Sequence, residues 1–257
     1  MGMALRAAGA NFEDIAVSYI PPVTEGLRYW GFLNDSVGKL GKNFAPNGDG
    51  VKVVGSPAVD IKGATLATSA HIETAIQQSH SLTLIAIGHP VADGAEQGMF
   101  ISNYSGGRPN DAAARSFGVS LYCSANEAEA GKFHVRASVA RYPGTPGSAT
   151  GLNFVTLANR DISKPAFFAM TFNGDEKVVR AYDLSVGDAG ERPPIADATD
   201  VAITPFYIGS SPQTQGFVSN PRHMHFAAIY DRDLSKAELD LIYQRVKPYF
   251  ANRGVNI

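Results

Sequence analysis

Short stretches in which apolar and polar residues alternate dominate the chain, and nearly all of them are typical of β-strands. Residues 81–90, SLTLIAIGHP, are apolar on both alternating faces, which predicts a central strand covered on both sides. Residues 132–140, KFHVRASVA, alternate apolar and polar positions and predict a strand with one buried face and one outward face. Roughly a dozen such strands, separated by Gly-rich turns, predict a two-sheet antiparallel sandwich.

The last predicted strand covers residues 223–230, HMHFAAIY. Simple alternation places Met224 and Phe226 on one face and His223 and His225 on the other. The strand is broken by the charged triplet that follows it, residues 231–233.

One amphipathic helix is predicted after this strand. Ser235 fits the N-cap and Glu238 stands three residues later, as a capping box requires. Pro248 is expected to end or bend the helix. Four residues keep helical spacing on the apolar face: Leu239, Ile242, Tyr243 and Val246.

Residues 226–243, FAAIYDRDLSKAELDLIY, resemble the C-terminal signature of laminin-G-like domains of the concanavalin A-like lectin/glucanase superfamily. The aromatic stretch LRYWGF, residues 27–32, and the polar Gly-rich loop after it are similar to the opening of such domains. The resemblance implies an all-β, two-sheet antiparallel jelly-roll sandwich with one C-terminal helix. That fold hosts lectins, hydrolases, lyases and structural modules, so it does not assign a function.

We expect one domain over residues 26–257, preceded by an N-terminal arm over residues 1–25. The arm is apolar in part but has no regular period, and Pro21 and Pro22 interrupt it. It is expected either to pack on a neighbouring subunit or to fold over its own domain.

Composition excludes several classes of function. The formal net charge of the 257 residues is -2, and no basic run is visible, so neither nucleic acid nor an anionic membrane is an expected partner. The single cysteine, Cys123, cannot form an intrachain disulfide and lies in an apolar strand pattern. No signal peptide and no membrane-spanning run is recognised, which favours folding in a reducing cytoplasm.

No catalytic constellation is recognisable, and we expect a non-catalytic protein. Glucanases of this superfamily carry Glu-x-Asp-x-x-Glu on one strand, and the chain contains no such run. Glu127 and Glu129 lie in a polar stretch that is typical of a hairpin tip. A polysaccharide hydrolase or lyase with an unrecognised site is the alternative.

No metal or other cofactor is expected, although two patterns were weighed. His223 and His225 fit a metal pair or proton relay, but packing explains them without a third ligand. The stretches 47–50, NGDG, and 108–113, RPNDAA, offer oxygen ligands for Ca²⁺, and ordinary turns explain both equally well.

Two loops combine aromatic, Arg and amide side chains, which is the combination that sugar binding uses. A Tyr packed at the loop base and an Arg in solvent is the alternative interpretation. The candidate glycan-binding residues are Asn103, Tyr104, Arg108, Asn110 and Asp111 in the first loop, and Arg141 and Tyr142 in the second.

The succession of GLRYWGF, SLTLIAIGHP, MFISNYSGG and HFAAIYDRDLS is similar to lectin-like proteins of tailed phages and prophages. This resemblance implies a virion component, as a tail, fibre or decoration protein made in the bacterial cytoplasm. Its implied partners are other virion proteins, further copies of the chain bound through the arm, and a host-surface polysaccharide. A free-standing lectin is the alternative outside a virion.

Overall fold

The computed structural model describes residues 20–46, 48–92, 97–104, 107–108, 111–126, 128–142, 151–193, 198–199, 201–212 and 219–257. The elements in chain order are β1 (Leu27–Phe32), α1 (Val37–Leu40), β2 (Lys52–Val54), β3 (Ala58–Val59), β4 (Ala64–Leu66), β5 (His71–Glu73), β6 (Leu82–Pro90), β7 (Gly98–Ser102), β8 (Gly107–Arg108), β9 (Asp111–Arg115), β10 (Val119–Ala125), β11 (Lys132–Tyr142), β12 (Gly151–Asp161), β13 (Ala166–Asn173), β14 (Val178–Asp183), β15 (Asp188–Arg192), β16 (Ala198–Thr199), β17 (Tyr207–Ile208), β18 (Arg222–Tyr230) and α2 (Lys236–Ala251).

Two antiparallel sheets face each other, which confirms the predicted β-sandwich. Sheet A has the order β15-β14-β13-β6-β18-β4-β3, with β1 also paired to β18. Sheet B has the order β12-β11-β10-β7-β17-β5-β2, with β16 also paired to β11. Strands that are distant in sequence are neighbours in both sheets, so the sandwich depends on long-range pairing.

Two apolar cores hold the layers together. The first lies between the sheets and includes Leu84, Phe100 and Phe168. The second lies between the outer face of sheet A and helix α2, where Trp30 and Phe226 pack with ring centroids 4.7 Å apart. Sheet A is therefore covered on both faces, whereas no helix among the described residues covers the outer face of sheet B.

The strongest sequence patterns are confirmed. In β6, Leu84 belongs to the core between the sheets while Ile85 belongs to the core under the helix, as expected of a central strand. In β11, Phe133 and Val135 are buried between the sheets, and Arg136 lies on the outward face. The alternation of residues was sufficient to predict these two strands, because all residues on one face of each strand lie in the same environment.

The simple alternation predicted for β18 was wrong at one point. The pairing of β18 with β6 shifts between Met224 and Phe226, so that one extra residue, His225, forms a β-bulge. As a result Phe226 faces helix α2, while Met224 faces the core between the sheets.

The predicted helix is confirmed, including its cap. Ser235 accepts a hydrogen bond from the Glu238 backbone N–H, and the Glu238 carboxylate accepts one from the Ser235 backbone. The helix continues to Ala251, three residues beyond Pro248, because a proline in the last turns removes only its own N–H donor. Neither α1 nor α2 is long and apolar enough to cross a bilayer.

Several short elements are not apparent from the sequence. The stretch 108–116, RPNDAAARS, is typical of a loop, yet most of it belongs to the paired strands β8 and β9. The stretch 186–200, VGDAGERPPIADATD, is also typical of a loop and contains β15, whose five residues are largely exposed, and β16. Helix α1 has only four residues. None of these stretches shows a regular apolar period in the sequence, and it is that period which reveals an element.

The segment just before the predicted domain boundary joins the fold. Val23 is buried in the core under helix α2, and its carbonyl accepts a hydrogen bond from the Tyr230 hydroxyl at 3.1 Å. Residues 1–19 of the predicted arm lie outside the described residues, so the boundary at residue 26 stays a prediction.

Candidate functional site

A groove of about 200 Å³ crosses the outer face of sheet B. It is built on neighbouring strands β7, β10, β11 and β12, whose inward residues fill the core and whose outward residues are mainly polar. The described residues that line the groove are Gln97, Met99, Tyr104, Ser120, Tyr122, Ser124, Arg136, Ser138 and Leu152.

Serine hydroxyls form a row beneath the groove. Ser102, Ser120 and Ser138 stand at paired positions on β7, β10 and β11. The hydroxyl oxygens of Ser102 and Ser120 are 2.8 Å apart, and the Ser138 hydroxyl lies 3.5 Å from the Ser120 carbonyl oxygen. Since small side chains occupy three adjacent strands, the sheet surface is recessed here and polar groups lie at its base.

Tyr104 forms one wall of the groove. Its ring stacks on that of Phe117, with centroids 5.5 Å apart and an angle of 9° between the planes. Its backbone N–H donates to the Ser102 hydroxyl at 2.9 Å. Gly118 follows with φ +56°, and a Cβ there would lie 2.3 Å from the Asn103 side-chain oxygen. The turn that seats the two rings therefore requires glycine at this position.

The opposite wall combines Tyr122, Arg136 and Phe154. Tyr122 and Arg136 occupy paired positions on β10 and β11. Burial raises the pKa of the Tyr122 phenol, and the neighbouring Arg136 acts in the opposite direction. The Arg136 guanidinium carbon lies 5.2 Å from the Phe154 ring centroid, and Phe154 is 41% exposed. The guanidinium thus packs against the Phe154 ring, and the Arg136 side chain is hydrogen-bonded to Tyr122.

Three polar atoms on this face are buried without a hydrogen-bond partner among the described residues. They are the Ser124 hydroxyl, Nδ1 of His134 and Nε of Arg136. Ser124 and His134 are paired across β10 and β11, directly next to Tyr122 and Arg136. Buried polar atoms normally have partners, so the occurrence of three such atoms on two adjacent strands distinguishes this part of sheet B.

The two predicted glycan-binding loops reach the same end of sheet B. Asn103 follows β7 and is hydrogen-bonded to Val119 at the start of β10, which pairs with Val139 on β11. Arg141 lies two residues beyond Val139 and pairs with Gly151. The two loops therefore lie at the same end of sheet B, on strands that are not adjacent in the sheet.

The predicted residues differ in their surroundings. Asn103 is fully buried, because its side-chain oxygen accepts from the Val119 N–H at 2.6 Å and its amide nitrogen donates to Gln78 at 3.2 Å. A glycan would reach this amide only if those bonds broke. Tyr104 lines the groove and Arg141 is exposed.

The remaining predicted residues lie in or beside stretches outside the described residues. Arg108 is in β8, Asp111 begins β9 and Tyr142 ends β11, and only their backbone positions are described. Asn110 lies outside the described residues. Glycan binding by these residues stays a prediction.

Sequence reasoning missed Ser120, Tyr122 and Arg136 as site residues. Each stands at an outward position of an alternating strand, where a polar side chain is ordinarily only solvated. The signal that marks them is the coincidence of Ser, Tyr and Arg at paired positions of neighbouring strands, and that requires the register.

A second, larger cavity of about 600 Å³ lies at an end of the sandwich, between the end of β12 and the residues after α2. Arg160 lies there between Asp183, at 2.7 Å, and Asp188. Burial raises the pKa of the Asp183 carboxyl, and Arg160 acts against that rise. Hydrogen bonds from Ser163 lower the pKa of the Asp161 carboxyl to about 2.

Two carboxyl groups with opposed pKa shifts are the pattern expected of an acid and its partner. Asp183, however, is 1% exposed and accepts from the Ser185 backbone N–H at 3.0 Å, besides facing Arg160. These contacts fix a structural ion pair at the base of the end cavity.

The two histidines of β18 meet a third. Ring centroids of His223 and His225 are 4.8 Å apart, and His89 lies 5.9 Å from each. Nδ1 of His225 lies 2.8 Å from the Lys62 carbonyl oxygen, which holds that ring beneath Phe250. Among the described residues no group of three or more His, Cys, Asp or Glu is arranged to hold a metal ion.

The calcium candidates are only partly described. Asn47 and Asn110 lie outside the described residues, and Asp49 forms an ion pair with Arg28 at 3.8 Å. The expectation that ordinary turns, and not a Ca²⁺ site, explain these two stretches stays a prediction.

No family model and no curated protein matches the chain. Solved structures do resemble it. A Trypanosoma rangeli sialidase in complex with 2,3-difluorosialic acid matches 86% of the chain with a TM-score of 0.57 and 12% identity. The binding domain of botulinum neurotoxin DC in complex with SialylT matches 87% with a TM-score of 0.55 and 10% identity. The binding domain of Paraclostridial Mosquitocidal Protein 1 matches 87% with a TM-score of 0.54 and 13% identity.

The chain spans 33% of the length of the sialidase and 52% of each of the two binding domains. At these identities the likeness establishes the β-sandwich fold alone.

Proposed function

We propose that this protein is a glycan-binding adhesion module without catalytic activity, and that it holds its ligand in the groove on the outer face of sheet B. The observation that carries the proposal is the pairing of an aromatic wall, Tyr104 on Phe117, with a base of serine hydroxyls across three adjacent strands.

This combination suits the chemistry of sugars. A sugar ring presents an apolar face, which packs on an aromatic side chain, and a rim of hydroxyls, which both donate and accept hydrogen bonds. A volume of about 200 Å³ is below the roughly 300–1,000 Å³ of drug-sized sites, so one sugar unit of a chain is the expected occupant.

The solved structures support a binding role of this general kind. Those similar to the chain include the binding domain of botulinum neurotoxin DC, once in complex with SialylT and once in complex with rat synaptotagmin II. Domains of this shape therefore act as recognition modules for a sugar-containing or protein receptor, and we transfer that role to this chain as part of the proposal.

A glycan array probed with the intact chain tests the proposal. We expect binding to a restricted set of glycans, reduced at least about fivefold by Tyr104→Ala because the aromatic wall is lost. Tyr243→Ala is the matched control, since Tyr243 is also a half-buried tyrosine but lies on helix α2, away from the groove. Circular dichroism would verify that both variants are folded.

Two results would overturn the proposal. One is the absence of binding to every glycan on the array by the folded wild-type chain. The other is equal loss of binding in the Tyr104 and Tyr243 variants, which would place the effect in overall stability and not in the groove.

The finer proposal is that the module belongs to the virion of a tailed phage or prophage and assembles through its N-terminal arm. Its support is the sequence resemblance alone. Light scattering on the intact chain and on a chain beginning at Ile20 tests the assembly, because a start at Gly26 would also delete the core residue Val23. A defined oligomer that becomes a monomer on truncation supports the arm as an assembly device, whereas two monomers contradict it.

A polysaccharide hydrolase or lyase is the enzymatic alternative, and its active site would lie in the end cavity. Asp161 and Asp183 are the carboxylates there. Depolymerisation that Asp183→Asn or Asp161→Asn abolishes, while Tyr104→Ala leaves it unchanged, would favour this alternative over the adhesion module.

A further inference from the structure

Arg136 is the one charged side chain among the nine described residues that line the groove. The others are hydroxyl, amide, aromatic or aliphatic groups, and none is a carboxylate. Arg136 therefore supplies the only formal charge in the described lining, and the charge is permanent because the arginine side chain stays protonated throughout the range in which proteins are stable.

Four of the other described arginines, Arg28, Arg160, Arg180 and Arg232, have an acidic partner among the described residues, and Arg136 does not. Arg28 pairs with Asp231 at 3.4 Å, Arg180 with Glu191 at 2.5 Å and Arg232 with Glu238 at 2.6 Å. Within the described part of the chain no carboxylate lies within 4 Å of the Arg136 guanidinium, and its Nε has no hydrogen-bond partner.

The position of Arg136 is nevertheless fixed. Phe154 lies against one side of the guanidinium, and Tyr122 occupies the paired position on the neighbouring strand. Aromatic contacts of this kind orient a guanidinium without neutralising its charge. The planar guanidinium, with its N–H donors, is thus held in place at the side of the groove. Little side-chain entropy remains to be lost when it binds an anion.

We propose that the glycan recognised by the groove is acidic, and that Arg136 binds the carboxylate of its sugar. This inference rests on the proposed function and specifies its ligand class. The carboxylate would accept two parallel N–H bonds from the guanidinium, as a planar carboxylate does. The sugar ring would stack on Tyr104, and its hydroxyls would contact the part of the groove that Ser120 and Ser138 line.

Matched pairs of acidic and neutral glycans test the inference. The probes are 3′-sialyllactose against lactose, and hexagalacturonate against its fully methyl-esterified form. Sulfated lactose is a third probe, which separates recognition of a planar carboxylate from attraction to any anion. Affinities would be measured for the wild-type chain, Arg136→Gln, Arg136→Lys and the control Arg245→Gln, since Arg245 is exposed on helix α2.

We expect at least one carboxylate glycan to bind tenfold or more tightly than its neutral counterpart and more tightly than sulfated lactose. Arg136→Gln should remove that preference while binding of the neutral sugar changes less than about threefold. Arg136→Lys should retain part of the preference, because it keeps the charge but not the fork. Arg245→Gln should behave as the wild type.

Three results would overturn the inference while leaving the proposed function intact. They are equal binding of acidic and neutral partners, preference for the sulfated probe over both carboxylates, and a carboxylate preference that survives in Arg136→Gln. Absence of binding to any of these sugars and to the whole array would instead contradict the proposed function itself. Thermal unfolding of each variant would confirm that it is folded before its affinity is interpreted.

Discussion

Tyr104 lies parallel to Phe117, with 5.5 Å between the ring centroids and 9° between the ring planes. Strands β8 and β9 lie between the two residues in the sequence. The stacked rings therefore lie where the chain leaves sheet B after β7 and returns to it at β10. The same contact holds one wall of the groove, which links the local fold to the proposed binding site.

Removing the ring behind Tyr104 should weaken glycan binding without unfolding the protein. Phe117 is half-buried, so Phe117→Ala leaves the main core intact but frees Tyr104 to move. We expect glycan affinity to fall several-fold, in line with the interaction free energy of one aromatic pair. Isothermal titration calorimetry measures the change, and an unchanged affinity in a folded variant would show that the stack does not position Tyr104.

Asn103 should prove to be a structural residue. Its buried side chain pairs with the Val119 N–H and with Gln78, so Asn103→Ala leaves a buried donor without an acceptor. We expect a loss of about 2 kcal/mol in the free energy of unfolding. Urea denaturation gives the value, with Asn126→Ala as control because the Asn126 amide is exposed. A loss within about 0.5 kcal/mol of the control would contradict this role.

Stability should decline as the pH falls from neutral, because of the histidine cluster. Burial lowers the pKa of His225 to about 3 and also lowers the pKa of His223. Below the unfolded-state pKa of about 6.5, the unfolded chain binds protons that the folded chain excludes. Stability from this source is therefore fully present above about pH 6.5 and is lost progressively towards about pH 3.

For His225 alone, the expected loss between about pH 7 and about pH 5 is roughly 2 kcal/mol. Chemical denaturation at these two pH values measures it. His225→Gln should flatten the dependence, whereas His80→Gln should not, since His80 is exposed beside Asp175. An equally steep dependence in His225→Gln would exclude His225 as its source.

The sequence could predict those strands and helices in which all residues of one face lie in the same environment. Strands β6 and β11 and helix α2 each present a continuous apolar face, and the capping box of Ser235 and Glu238 is a purely local signal. The bulge at His225 could not be predicted, because it depends on the pairing of β18 with β6. Strand β15 is largely exposed and has no buried apolar face.

The same distinction applies to the candidate site. Tyr104 was recognisable as an aromatic residue in a polar loop. Arg136 was recognisable only as an outward residue of β11, and its importance comes from Phe154 and Tyr122 on the neighbouring strands. Strand register brings these three together, and register is set by long-range packing that a single sequence does not display.

Chemical-shift mapping by NMR, with the glycan that binds most tightly on the array, tests the central claim most directly. The account predicts that the largest amide shifts fall on β7, β10 and β11, around Ser120, Tyr122 and Arg136. Shifts centred instead on the end cavity, around Asp161 and Asp183, or on helix α2, would contradict the assignment of the groove as the binding site.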